Sequence, residues 1–196
     1  MDKCLVLFVE GDTDLEFYKK VVENARKKRP ASHFDTNITY RNVKGVGGFK
    51  NIALRKFEKD IKRKYGQDCE YTVVLCHDSD VFEFAPRPPI RWEELRKEMM
   101  ACGAATVFIV KAVHSIEDWF LCDVQGLLKF LRLSQSTKVF GKNGCEKIQR
   151  LYKKADKVYI KGTRSNGMID HLDIERISNE VIDQLEPLYN ALGIQC

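Results

Sequence analysis

The chain has 196 residues, of which 44% are hydrophobic and 31% are charged, and its formal net charge is +5. This length and composition favour one globular domain with its own core and argue against a disordered or fibrous chain. No apolar run approaches the roughly 18 residues of a membrane span, and the first residues lack the pattern of a signal peptide. We therefore expect a single domain, residues 1–196, that lies in the cytoplasm and has no membrane partner.

Seven cysteines are spread along the chain, an odd number without a Cys-x-x-Cys pair. The pattern favours neither a disulfide framework nor a zinc site. We interpret these residues as small buried side chains in a protein of the cell interior.

The first strong signal is an apolar run, residues 5–9, that ends on Glu10 and Gly11. Such a run is typical of a strand buried on both faces of a parallel sheet. Thr13 and Glu16 have the spacing of a capping box, which predicts that a helix begins immediately afterwards. Glu10 is thus expected at the carboxyl end of a strand, where open α/β sheets bind their ligands.

A second apolar run, residues 71–76, leads to Asp78 and Asp80. Because side chains alternate along an extended chain, both carboxylates face the same side. His77 faces the other way and is not expected to act as a proton shuttle. Convergent carboxylates are the ligands of a hard cation such as Mg²⁺ or Mn²⁺. Asp14, one helical turn after Glu10, is either a further metal ligand or an acid that favours the first turn of a helix.

Two more strands, at residues 37–43 and 104–110, are predicted from their apolar patterns. Between and after the strands, helices are expected over residues 49–65, 92–101, 124–133 and 145–154, with a long amphipathic C-terminal helix over 174–192. Alternating strands and helices predict an α/β fold, a three-layer α/β/α sandwich around a mainly parallel, Rossmann-like sheet.

A glycine turn, residues 45–48, precedes the second helix and is either a plain tight turn or a loop that presents N–H groups to an anion. The outer face of that helix carries a row of basic side chains. They are either merely solvated or follow a phosphate backbone: Lys50, Arg55, Lys56, Lys59, Lys62, Arg63 and Lys64.

Two later positions complete the candidate site. Glu117 and Asp118 follow Ser115 after the fourth strand, and these acids either favour a helix start or add a metal ligand, with Glu117 preferred. Lys161, before Gly162, is either a surface-turn residue or a point charge on a phosphate.

Glu10-Gly11 on the first strand followed by Asp78-x-Asp80 on the third resembles the Toprim domain of topoisomerases, bacterial primases, recombination-mediator proteins and OLD (overcoming lysogenization defect) family nucleases. The glycine turn, the stretch 116–121 and Lys161-Gly162 resemble the small stand-alone Toprim proteins related to the OLD nucleases. Response regulators and haloacid dehalogenases also place acids at strand ends, but they cluster them on the first strand.

The resemblance covers roughly residues 3–165 and implies a magnesium-dependent nuclease that acts on DNA or RNA, with a role in phage defence. The implied catalytic residues are Glu10, Asp78, Asp80 and Lys161, and the implied metal ligands are Glu10, Asp14, Asp78, Asp80 and Glu117. No ATPase domain is evident, so an ATPase would be a separately encoded partner. Two alternatives stay open: a non-catalytic Toprim module that binds nucleic acid or a partner protein, and a metal phosphohydrolase for small phosphate esters.

Overall fold

The computed structural model describes residues 2–28, 37–79 and 90–194. Within these ranges one sheet is formed by four parallel strands in the order β2-β1-β3-β4. Their bounds are Lys3–Val9 (β1), Ile38–Asn42 (β2), Glu70–Asp78 (β3) and Ala104–Ala112 (β4). All four predicted strands are present, and the central pair, β1 and β3, is buried along almost its whole length, which explains the continuous apolar runs.

The helices lie between and after the strands. The α-helices are Asp12–Lys28 (α1), Leu54–Lys56 (α2), Lys62–Tyr65 (α3), Trp92–Ala101 (α4), Ile116–Phe120 (α5), Val124–Leu131 (α6), Gly144–Lys154 (α7), Ile174–Glu180 (α8) and Ile182–Ala191 (α9). The second predicted helix is a continuous helical segment in which α2 and α3 alternate with π-helical turns, Phe49–Ala53 and Phe57–Ile61. Across the described ranges, no helix has the length and apolar character needed to cross a membrane.

Side-chain alternation along β1 defines the three layers. Leu5, Leu7 and Val9 point to one face of the sheet, which is covered by α1 and by α5 to α9. Val6 and Phe8 point to the other face, which is covered by the segment 49–65 and α4. The predicted three-layer α/β/α sandwich is therefore confirmed.

The C-terminal helix differs from the prediction. Residues 174–192 form two helices, α8 and α9, because the backbone of Val181 leaves the helical region at φ −116° and ψ 27°. The break has a packing reason: α8 lies against α1, whereas α9 lies against β3 and β4. A single straight helix would not pack against both surfaces.

Candidate active site

The order of the strands creates a crevice between β1 and β3. The chain leaves β1 through α1 on one face to reach β2, and returns through the segment 49–65 on the other face to reach β3. Connections that diverge in this way open a binding crevice at the carboxyl ends of the two central strands. Val9 lies opposite both Asn42 and Cys76, so three strands end at nearly the same level.

Glu10 and Asp78 meet at this crevice, as the sequence predicts. Glu10 directly follows β1, Asp78 is the last residue of β3, and the backbone N–H of Asp78 donates a hydrogen bond of 2.9 Å to Oε1 of Glu10. Asp78 in turn accepts a 3.0 Å hydrogen bond at Oδ1 from the N–H of Ile116. Asp80, the other carboxylate of the motif, lies outside the described residues.

Asp14 belongs to the same group of carboxylates. Its side chain accepts a 2.6 Å hydrogen bond from the N–H of Gly11, at the start of α1. Burial raises the pKa of Asp14 well above its usual range, and the negative charges of Asp78, Glu117 and Glu10 raise it further. The four carboxylates therefore repel one another in the absence of a cation.

Glu117 enters this group, whereas Asp118 does not. The side chain of Glu117 is 1% exposed, and its Oε1 accepts a 2.9 Å hydrogen bond from the hydroxyl of Tyr159. No residue in the described ranges donates a hydrogen bond to its Oε2. Asp118 instead accepts a 3.0 Å hydrogen bond from the hydroxyl of Ser115, within the first turn of α5.

Lys161 faces the carboxylates. Its Nζ lies 2.9 Å from Oδ2 of Asp78 and 3.8 Å from Oε2 of Glu117. The ammonium group partly offsets the negative charge of the cluster, so Lys161 is not simply a residue of a surface turn.

The loop 159–165 that carries Lys161 is fastened to the start of α1. The N–H of Asp12 donates a 2.9 Å hydrogen bond to the carbonyl of Gly162. Gly11 permits this approach, because a Cβ atom at that position would lie 2.6 Å from Cα of Gly162. The glycine of the Glu10-Gly11 motif is thus explained by the backbone that passes over it.

The predicted capping box is wrong, because its two residues hold the same loop. The hydroxyl of Thr13 donates to the carbonyl of Thr163, and the carboxylate of Glu16 accepts hydrogen bonds from the N–H and the hydroxyl of Ser165. The Thr and Glu that have the spacing of a capping box thus bind residues about 150 positions later in the chain. Both side chains help to fix the position of Lys161.

The glycine turn joins β2 to the end of β1. The N–H of Gly45 donates a 2.8 Å hydrogen bond to the carbonyl of Glu10. At Gly48 a Cβ atom would lie 1.8 Å from the carbonyl oxygen of Val43, so no larger residue fits that backbone. These contacts account for the glycines as parts of a tight turn.

The crevice opens into a cleft of about 890 Å³ with walls of opposite charge. Its lining includes the acidic residues Glu10, Asp14 and Asp78 together with Lys161, and the basic residues Arg41, Lys44 and Lys56. Arg41 lies on β2 and Asp78 lies on β3, with β1 between them, so the two charged groups approach the cleft from different strands of the sheet.

His77 lies apart from this chemistry. Its ring stacks on Trp92 with centroids 3.8 Å apart, and its Nδ1 lies 2.9 Å from the carbonyl oxygen of Asp78. Burial lowers the pKa of His77 to about 4. A buried, neutral histidine on the far side of β3 agrees with the interpretation that it is not a proton shuttle.

The donor set fits a hard divalent cation. In the part of the chain that the structure describes, no three His, Cys, Asp or Glu side chains converge closely enough to hold a metal ion by themselves. Mg²⁺, however, usually takes one or two protein carboxylates and completes its shell with water and substrate phosphates. The unsatisfied Oε2 of Glu117 and the raised pKa of Asp14 are what such a cation would relieve.

Sequence reasoning missed three parts of the site: Tyr159, the pairing of Asp12 with Asn42, and the place of Arg41 and Lys44 beside Lys56 in the cleft. Nδ2 of Asn42 donates a 2.7 Å hydrogen bond to Oδ1 of Asp12, which ties β2 to α1. Because these contacts join residues that are far apart in the chain, no local sequence pattern predicts them.

The chain is a Rossmann-like, three-layer α/β protein with a cluster of carboxylates and one lysine at its central crevice. No protein-family model, curated protein or solved structure matches it. Its function is therefore inferred from the fold and the site.

Proposed function

We propose that the protein is a Toprim-type nuclease that requires Mg²⁺ or Mn²⁺ and cleaves phosphodiester bonds of DNA or RNA. The observation that carries the proposal is the meeting of Asp78, Glu117 and Lys161 with Glu10 at the crevice between β1 and β3. Carboxylates beside an ammonium group are the residue types that this chemistry needs, for the cation and for phosphate oxygens respectively.

Glu10, Asp14, Asp78 and Glu117 are the described residues that would hold the metal, and Asp80 is their expected partner. When bound, Mg²⁺ supplies a Lewis acid that polarises the phosphate and lowers the pKa of an attacking water. Ile116 and Tyr159 orient two of these carboxylates through hydrogen bonds of 3.0 and 2.9 Å. The ligands are thus held in place before the cation arrives.

Lys161 changes partners in this proposal. Without a cation it offsets the charge of Asp78 and Glu117. With those charges compensated, its ammonium group is available to the phosphate oxygens on which negative charge develops. A donor already in position for that charge is worth about 3 kcal/mol in the transition state.

A non-catalytic nucleic-acid-binding module is the second candidate, because both carboxylate oxygens of Asp78 already have partners within the protein. In that case the acids would only fasten β3 to α5 and to the loop 159–165. The same protein would bind nucleic acid without cleaving it.

Incubation of the purified protein with plasmid DNA and with transfer RNA, with and without Mg²⁺, tests the proposal. We expect Mg²⁺-dependent cleavage that is lost in Asp78→Asn and Glu117→Gln and kept in Asp118→Asn, the matched control outside the cluster. Binding without cleavage under all conditions would favour the second candidate.

The free thiols of the cysteines in the described ranges suit the reducing interior of the cell, which agrees with a cytoplasmic enzyme. A role in phage defence and a separately encoded ATPase partner belong to the same proposal, through the resemblance to small Toprim proteins.

A further inference from the structure

The basic wall of the cleft consists of Arg41, Lys44 and Lys56. Arg41 lies on β2, Lys44 lies in the turn that follows it, and Lys56 lies on α2, yet all three line the cleft that holds Glu10 and Asp78. Separate elements therefore bring three cations to the lining of one cavity.

No carboxylate forms an ion pair with these three side chains in the described ranges. Arg41 donates a 2.9 Å hydrogen bond to the carbonyl of Tyr40, and Lys56 donates one of 3.0 Å to the carbonyl of Asn42. Each bond fixes the direction of a cation without an ion pair to a carboxylate.

The electrostatic surroundings of Lys56 indicate an anion site. Its side chain is partly buried, and burial lowers its pKa, as do the neighbouring charges of Arg41, Lys44 and Arg55, whereas the charge of Asp60 acts in the opposite direction and only partly offsets them. An anion bound among these groups removes their mutual repulsion, so binding is favoured by the arrangement of the free protein.

The two charged groups of the cleft, the carboxylates with Lys161 and the basic wall, suit different parts of a ligand. The carboxylates and Lys161 suit the reacting phosphate with its metal, whereas the basic wall holds no group that activates water. A ligand with one phosphate occupies the first group only. A polynucleotide strand offers a second phosphate next to the first.

We propose that Arg41, Lys44 and Lys56 form a second phosphate subsite, which binds a phosphate adjacent to the reacting one on a polynucleotide strand. The inference rests on the proposed nuclease function for the identity of the first phosphate. It selects polynucleotides over small phosphate esters as the substrate class. It also gives the basic side chains of the segment 49–65 different roles, because Lys56 faces the cleft and Lys59 does not line it.

A binding experiment tests the subsite without cleavage. Fluorescence anisotropy with a labelled single-stranded oligonucleotide in EDTA, at several salt concentrations, gives the affinity and its salt dependence. We expect Lys56→Gln and Arg41→Gln to bind about 5- to 10-fold more weakly, with a salt slope smaller by about 0.7 for each lost phosphate contact. Lys59→Gln, an exposed lysine of the same helical segment, is the control and should match the wild type.

Two substrates then separate the subsite from the nuclease function. Lys56→Gln should lower kcat/KM for an oligonucleotide by a similar factor and leave hydrolysis of bis(p-nitrophenyl) phosphate, which has one phosphate, unchanged. Lys44→Gln provides a further variant, since the Lys44 side chain is exposed and the hydrogen bond of Lys44 to Oδ1 of Asn42 is donated by its backbone N–H, which the substitution keeps.

The outcomes are distinct. Weaker oligonucleotide binding by the variants supports the subsite even if the wild type cleaves nothing, in which case only the nuclease function fails. Cleavage by the wild type together with unchanged binding and unchanged substrate preference in all three variants overturns the subsite and leaves the nuclease function standing. Equal losses on both substrates also overturn it, because the wall would then act on the reacting phosphate itself.

Discussion

At the scale of single residues, the contact between Tyr159 and Glu117 is the most informative. Both side chains are buried, and the carboxylate of Glu117 accepts one hydrogen bond from a described residue, the 2.9 Å bond from Tyr159. Among the described residues, the polar neighbour of its other oxygen, Oε2, is Lys161, whose Nζ lies 3.8 Å away. The position of this carboxylate therefore depends on a phenol 42 residues away in the chain.

Tyr159→Phe should consequently destabilise the metal-free protein. Removal of the hydroxyl leaves a buried carboxylate less satisfied, which costs about 1–3 kcal/mol. Urea unfolding in EDTA measures the change. Tyr152→Phe is the matched control, since the centroids of the Tyr152 and Tyr159 rings lie 5.2 Å apart. The pKa of Tyr152 is raised by burial and not by a charged partner. Equal losses in both variants would assign the effect to packing instead of the hydrogen bond.

Asp14 should make the stability of the metal-free protein depend on pH. Its pKa is raised above the ordinary value of 3.8 by burial and by Asp78, Glu117 and Glu10. Between 3.8 and the raised value the folded protein holds a proton that the unfolded chain has released, so the free energy of unfolding falls as pH rises through this window.

Denaturant unfolding of the wild type and Asp14→Asn across this window measures the effect, and the fall should be smaller in the variant. His77 contributes with the opposite sign, because its pKa is lowered to about 4. Both proteins contain it, so its contribution cancels in the difference. Parallel curves would mean that Asp14 is already ionised in the folded protein.

At the scale of elements, the loop 159–165 depends on the absence of a side chain at Gly11. Gly11→Ala would place a Cβ atom 2.6 Å from Cα and 3.0 Å from the carbonyl oxygen of Gly162. Because both of these atoms belong to the backbone, the loop has to move. We expect a loss of about 1–3 kcal/mol in the free energy of unfolding and a larger loss of activity, since Lys161 moves with the loop.

Gly47→Ala is the control for this change, because a Cβ atom there meets no other atom within 4 Å. Thermal unfolding and nuclease activity of the two variants are compared with those of the wild type. Activity retained in Gly11→Ala despite a lower melting temperature would show that Lys161 does not need its present position.

The elements also show which features the sequence alone can predict. β1 and β3 were predictable because burial on both faces leaves a continuous apolar run, and Glu10 and Asp78 because a strand end is a local feature. The break at Val181 was not predictable, since it follows from which surfaces α8 and α9 cover. The roles of Thr13 and Glu16 were misread for the same reason: their partners lie about 150 residues away.

At the scale of the whole molecule, the central sheet links the site to overall stability. The carboxylates end β1 and β3 or begin α1 and α5, so their repulsion acts on elements that pack in the core. If the proposed cation binds to the folded state, it relieves that repulsion and stabilises the protein as a whole. The proposal therefore couples metal affinity to folding stability.

Mg²⁺ should accordingly raise the melting temperature of the wild type more than that of Asp78→Asn. The asparagine keeps an oxygen that accepts from the N–H of Ile116, so the variant is expected to fold, but it loses the charge that attracts the ion. At 100 times the dissociation constant, ligand binding adds about 2.7 kcal/mol to the free energy of unfolding. Differential scanning fluorimetry over a series of Mg²⁺ concentrations measures the two shifts, with Asp118→Asn as the control that should follow the wild type. Equal shifts in the wild type and Asp78→Asn would mean that the ion binds elsewhere, and the carboxylates would then serve to join β3, α5 and the loop 159–165.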